Sequence, residues 1–148
     1  MKWLTVFIVM FALTGCASSN REEAAKTVGA MVGIVNHTDR YIASASVDGA
    51  GGANMTEYGA GGASVCCAVI PAVWYPGMKV EVRWNMPIGR TPVVKVKEVE
   101  VEKYDEPGSI YIHVFDNDQI RVVVTRHPGY SRLHPIPAPV KPAGWKKN

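Results

Sequence analysis

Cysteine is scarce in this chain, neither sign of charge is much in excess, and no apolar run is long enough to cross a membrane. Three cysteines among 148 residues exclude the dense disulfide framework of small secreted domains. Sixteen basic against 13 acidic residues leave a formal charge of +3, too little for an electrostatic footprint on nucleic acid or for a polybasic membrane patch. The longest apolar run, Trp3 to Leu13, falls short of the about 20 residues that a spanning helix needs. A sustained 3.6-residue apolar stripe is missing as well, so helices contribute little. There is no G-x-S-x-G elbow, no H-E-x-x-H pair and no Walker loop, so no local motif points to an enzyme. No cofactor is implied. Disorder is excluded by an apolar content of 47%.

The N-terminus carries the most specific signal. Lys2 precedes the apolar run, which closes on Leu13-Thr14-Gly15-Cys16. A basic start, a short apolar core and small residues before a cleavage point make a secretory signal peptide. Ending on Leu-x-Gly-Cys, it resembles the lipobox of bacterial lipoproteins, which implies diacylation of Cys16, cleavage before it and acylation of the new N-terminus. Two or more acyl chains such as palmitate hold a protein stably at a membrane, where one does not. Ala17 stands where an aspartate would resemble an inner-membrane retention signal. That favours the periplasmic face of the outer membrane over the inner membrane.

The expected organisation is a signal peptide over 1–15, lipidated Cys16 and a flexible tether over 16–27, one β-domain over 28–126 and a Pro-rich tail over 127–148. The tether, extended, reaches at most about 40 Å. Strand signals follow one another at Val28 to Val35, Arg40 to Val47, Ser64 to Ile70, Met78 to Trp84, Val93 to Lys103, Ser109 to Phe115 and Ile120 to Arg126. In the second, Tyr41, Ala43, Ala45 and Val47 form the larger, more apolar face. The third is apolar throughout, as a strand buried on both faces would be. The fourth alternates most cleanly, with Met78, Val80, Val82 and Trp84 inward. In the fifth the apolar phase slips near Lys97-Glu98, which suggests a β-bulge. Asp116-Asn117-Asp118-Gln119 reads as a hairpin connection. Seven short strands divided by turn residues make an all-β fold, a single antiparallel β-sandwich.

Two segments stand outside that pattern. Asp48 to Ala63, DGAGGANMTEYGAGGA, reads as a long Gly-rich loop, costly in entropy to order. Loops of that length in compact domains are functional or disordered. The tail holds five prolines and reads as an extended coat over the sandwich, with Trp145 as a hydrophobic clip.

Few side chains offer chemistry. His113 shares a strand face with Tyr111 and Phe115 and reads as a satisfied, partly buried histidine. His37 lies in a turn, and His127 and His134 sit beside prolines. Ser64, His113 and Asp116 could be grouped as nucleophile, base and acid, but no local motif supports the grouping. Asp116 and Asp118 lack the further carboxylates of a calcium loop. For the adjacent Cys66 and Cys67 the plainest reading is two small thiols packing as hydrophobes. A strained vicinal disulfide and a bond to another chain are the alternatives. A metal site would need further ligands.

The run Asn36-His37-Thr38-Asp39-Arg40-Tyr41-Ile42, then Val47-Asp48-Gly49, the Gly-rich stretch, Ser64-Val65-Cys66-Cys67 and Lys79-Val80-Glu81-Val82-Arg83-Trp84 resembles a family of small bacterial lipoproteins long filed under a domain of unknown function. Tyr111-Ile112-His113-Val114-Phe115 with Ile120-Arg121-Val122-Val123-Val124 resembles that family's C-terminal hairpin. Members are similar to immunity proteins encoded beside type VI secretion phospholipase effectors. The resemblance, over about residues 28–126, implies a periplasmic protein that is not an enzyme and that binds and inhibits a lipase toxin. Asp48, Asn54, Glu57 and Tyr58 are then the expected partner-binding residues, aromatic anchors carrying disproportionate binding energy. The alternative is a non-catalytic structural or assembly lipoprotein of the envelope.

Overall fold

The computed structural model describes residues 26–147. The signal peptide, Cys16 and nearly all of the tether lie outside the described residues. Eight strands follow in order: β1 (Thr27–Asn36), β2 (Ile42–Val47), β3 (Ala50–Met55), β4 (Val65–Pro71), β5 (Lys79–Asn85), β6 (Val94–Glu100), β7 (Ser109–Phe115) and β8 (Gln119–Thr125). They form two four-stranded sheets, ordered β4-β1-β7-β8 and β3-β2-β5-β6. The inner faces meet in one core containing Val32 and Ile34 from β1, Val82 and Trp84 from β5, Ile110 and Ile112 from β7, and Val122 from β8. This is a β-sandwich, as the alternating patterns require. Every pairing is antiparallel except β1 with β7. Because β7 enters the first sheet after the chain has visited the second, its direction is not dictated by a hairpin.

Several sequence expectations change. The Gly-rich segment is not one loop, since Ala50–Met55 form β3, the edge strand beside β2. Asp48 and Gly49 both take positive φ (48° and 82°), the conformation that a two-residue hairpin turn demands. β4 is not buried on both faces but is the outer strand of its sheet, with Val69 66% exposed. Cys66 and Cys67 are therefore exposed rather than packed as hydrophobes, and their sulfurs are placed as a vicinal disulfide.

β6 carries no bulge, for its ladder with β5 runs without a shift from Lys79↔Glu100 to Asn85↔Val94. Val94 and Val96 lie on the outer face, about half exposed. Lys95 and Lys97 take the inner side at an open rim, where Lys95 Nζ reaches Asp118 Oδ1 at 2.7 Å. The register shifts fall instead in β1 and β2. The shift in β2 turns Ile42 fully inward and leaves Tyr41 exposed, reversing the expected face at that end.

On its outer side the first sheet has a second, smaller cluster. Val35, Tyr111 and Val123 are covered there by Ile136 of the tail and flanked by Ala60 and Ala63. Gly33 permits this, because a Cβ at that position would come within 2.4 Å of the Tyr111 ring. The tail is thus a coat, as its prolines suggest, but one with buried residues of its own.

Candidate functional site

The turn between β1 and β2 draws four parts of the chain together at one end of the sandwich. Asn36 is its buried centre. Its amide nitrogen donates to Arg40 O at 2.7 Å and Thr56 O at 2.9 Å. Its Oδ1 accepts from Thr38 N–H at 3.0 Å and Thr38 Oγ1 at 2.8 Å. Both donors and both acceptor positions of the side chain are in use, which a buried amide requires. Backbone bonds add Tyr58 N–H to Thr38 O, Asn36 N–H to Gly59 O and His37 N–H to Val114 O. The Arg40 guanidinium donates to Met86 O at 2.8 Å.

From this turn a line of three imidazoles runs across the outer face of the first sheet. His37 Nε2 lies 2.9 Å from His113 Nδ1, and His113 Nε2 lies 2.9 Å from His134 Nε2. The line ends where His134 Nδ1 meets the His127 carbonyl at 2.8 Å. A carbonyl only accepts, so His134 Nδ1 carries hydrogen and its Nε2 is a lone pair. His113 must then donate from Nε2 and accept at Nδ1, and His37 donates from Nε2. One end thus fixes the tautomer of all three neutral rings. His113 is wholly buried, and burial, with His134, His37 and Arg121 nearby, pulls its pKa down to about 3. Burial lowers His37 and His134 in the same direction. The rings are packed as well as bonded: His37 stacks on Phe115 at 4.1 Å, and Tyr111 stands edge-on to His134 at 4.8 Å. Each nitrogen pair holds one shared hydrogen, so the nitrogens are not gathered around a point. Among the described residues no group of His, Cys, Asp or Glu is arranged to hold a metal ion.

The end of the tail folds back onto the same region. Trp145 meets Tyr58 edge-on at 5.6 Å, and Lys147 Nζ lies 3.5 Å from Glu57 Oε2. Glu57 keeps only 12% of its side chain exposed.

The residues singled out from sequence fall in two places. Glu57 and Tyr58 lie beside Asn36 and Thr38, whereas Asp48 is at the far end of β3, its carboxylate accepting the Glu81 N–H at 2.7 Å. Asn54 is exposed on the edge strand between them. Ser64, His113 and Asp116 form no relay, because both nitrogens of His113 are taken by other histidines. Asp116 and Asp118 are exposed in a single 3-10 turn, and Asp118 pairs with Lys95. His37 and His134 were the residues sequence reasoning passed over as partners of His113. Nothing in their local sequence places them near it, and only the outward period of Tyr111, His113 and Phe115 hinted at a shared face.

No curated protein and no solved structure matches the chain. The model of one family, described as a protein of unknown function (DUF3304), matches residues 35–122. That span runs from the end of β1 into β8, takes in His37 and His113, and covers more than half of the sequence. The chain belongs to the DUF3304 family.

Proposed function

We propose that this chain is a membrane-anchored periplasmic immunity protein that binds and inhibits a type VI secretion phospholipase toxin, acting by occupancy rather than by a reaction of its own. The observation that carries the reading is the convergence at one end of the sandwich. The Asn36–Arg40 turn and the Tyr111–Phe115 strand, which underlie the resemblance to lipase-immunity lipoproteins, meet there beside Glu57 and Tyr58. The polar groups at the heart of that end are spent on each other. What it offers outward is a rim with Tyr41, Tyr58 and Trp145 on or near the surface. Aromatic side chains are the anchors that carry most of the energy of protein interfaces. An acylated Cys16 would hold it near the membrane that a phospholipase must reach.

The test is to express the toxin encoded next to this gene, directed to the periplasm, with and without the full-length protein. Rescue of growth, with a stoichiometric complex of the purified partners and loss of lipase activity, is the expected result. No binding at micromolar concentration overturns the reading and leaves an envelope assembly role.

A further inference from the structure

The tail, residues 127–147, is fastened to the outer face of the first sheet at few points. Gly129 N–H donates to Gly61 O at 2.9 Å, Ile136 is buried against Val35, Tyr111 and Val123, and His134 accepts from His113. At its far end Trp145 packs on Tyr58 and Lys147 pairs with Glu57. Of these fastenings the His113–His134 contact is the buried one that an added proton opposes.

The groups facing His113 are His37 from the β1–β2 turn, Tyr111 and Phe115 on its own strand, Arg121 from β8, and His134 from the tail. His127 and Tyr130 approach behind them. Arg121 is held by Glu102 at 2.6 and 3.0 Å, and among the described residues no carboxylate bonds to any of the three rings. The neutral line holds one hydrogen at each of its two junctions and one at the carbonyl end. A first added proton fits on the outer nitrogen of His37 without breaking a bond. A second forces two hydrogens into one junction, opposing N–H against N–H in a buried, cation-facing place.

We propose that the His37–His113–His134 line is a proton-operated latch, which in mildly acidic conditions lets the tail go and bares the outer face of the first sheet at Val35, Tyr111 and Val123. The direction follows from which form binds more protons. With the tail in place His113 stays neutral down to about pH 3, whereas a released, solvated imidazole titrates near 6.5. The latched form is therefore fully favoured above pH 6.5 and loses ground as pH falls toward 3. At pH 5 that single ring weights the released form by at most about 30-fold, since His37 and Arg121 stay beside it when the tail leaves.

Hydrogen–deuterium exchange on the full-length protein at pH 7.5 and 5.0, corrected for the intrinsic pH dependence of amide exchange, tests this. Tail amides, Gly129 foremost, should lose protection at least about 10-fold at pH 5.0, while β5 and β7 keep theirs. Unchanged tail protection overturns the latch, and so does a core that opens in step with the tail. Two replacements that stay neutral at both pH values, His113→Gln and His134→Gln, should each cut the acid response severalfold. A full response in either one, folded as judged by β5 protection, also overturns it.

Discussion

Asn36 Oδ1 accepts both the backbone N–H and the hydroxyl of Thr38, at 3.0 and 2.8 Å, so one side-chain oxygen closes the turn that begins the second sheet. The same side chain donates to Arg40 O and Thr56 O and thereby pins the β3–β4 connection to that turn. Asn36→Asp keeps the acceptors and loses both donors, setting a negative charge against two carbonyls. Urea denaturation at pH 7.5 should show a loss of about 3 kcal/mol. Thr38→Val, which removes one hydroxyl, should cost about 1 kcal/mol. A change below about 0.5 kcal/mol for Asn36→Asp would mean that the turn closes without this node.

Trp84 is 2% exposed in the core between the sheets, and among the described residues its Nε1 has no partner. Trp84→Ala should therefore cost about 3–5 kcal/mol through the cavity it leaves. Trp84→Phe leaves a smaller void and relieves an unpaired buried N–H, so it should cost much less, under about 2 kcal/mol. Equal losses for the two would show that the N–H, which both replacements remove, contributes more to the site than the packing around the indole.

The contrast between β5 and β3 explains how far the fold could be read from sequence. In β5, Lys79, Glu81 and Arg83 alternate with Val80, Val82 and Trp84, a period that only one half-buried strand satisfies. Glycine and alanine in β3 give no such period, because its side chains bury little. Its signal was Asp48-Gly49, a turn pair whose meaning is local. β6 misled because solvent exposure follows from where its sheet ends, so valines could lie outside and lysines inside with no bulge. The histidine line was out of reach for a further reason. It joins a turn, a strand and a tail, with sequence separations of 76 and 21 residues, and neither propensity nor period carries across such distances.

The direction of that line makes a spectroscopic prediction. At pH 7.5, long-range ¹H–¹⁵N spectra should find His134 as the Nδ1–H tautomer and His37 and His113 as Nε2–H tautomers. The cause is the His127 carbonyl, which can only accept. His134 found as the Nε2–H form would break the chain at its last link, since two N–H groups would then face each other.

Lipidation at Cys16 lies outside the described residues and is expected from the Leu13-Thr14-Gly15-Cys16 sequence alone. Cys16→Ser should abolish acyl labelling and release the protein from membrane fractions, or leave it uncleaved. Mass spectrometry of the native protein that found an unmodified Cys16 would remove the anchor from the proposed function.

The proposed contact end can be separated from the rest of the molecule because the four expected partner-binding residues are split along β3. Glu57 and Tyr58 sit beside the Asn36–Thr38 node, with Tyr58 packed edge-on to Trp145. Asp48 lies at the other end, holding the Glu81 N–H. If the toxin binds the converging end, Tyr58→Ala combined with Glu57→Lys should weaken the complex by about 2 kcal/mol, roughly 30-fold in Kd, as removal of an aromatic anchor does. Asp48→Ala should change affinity little. Melting curves must show that both variants remain folded, because the Glu57–Lys147 pair and the Trp145 contact also hold the tail. Equal weakening by Asp48→Ala would mean that the toxin spans the length of β3, drawing in Asn54. Silence of all these changes in a complex that still forms would move the contact to the opposite sheet face, while leaving inhibition itself intact.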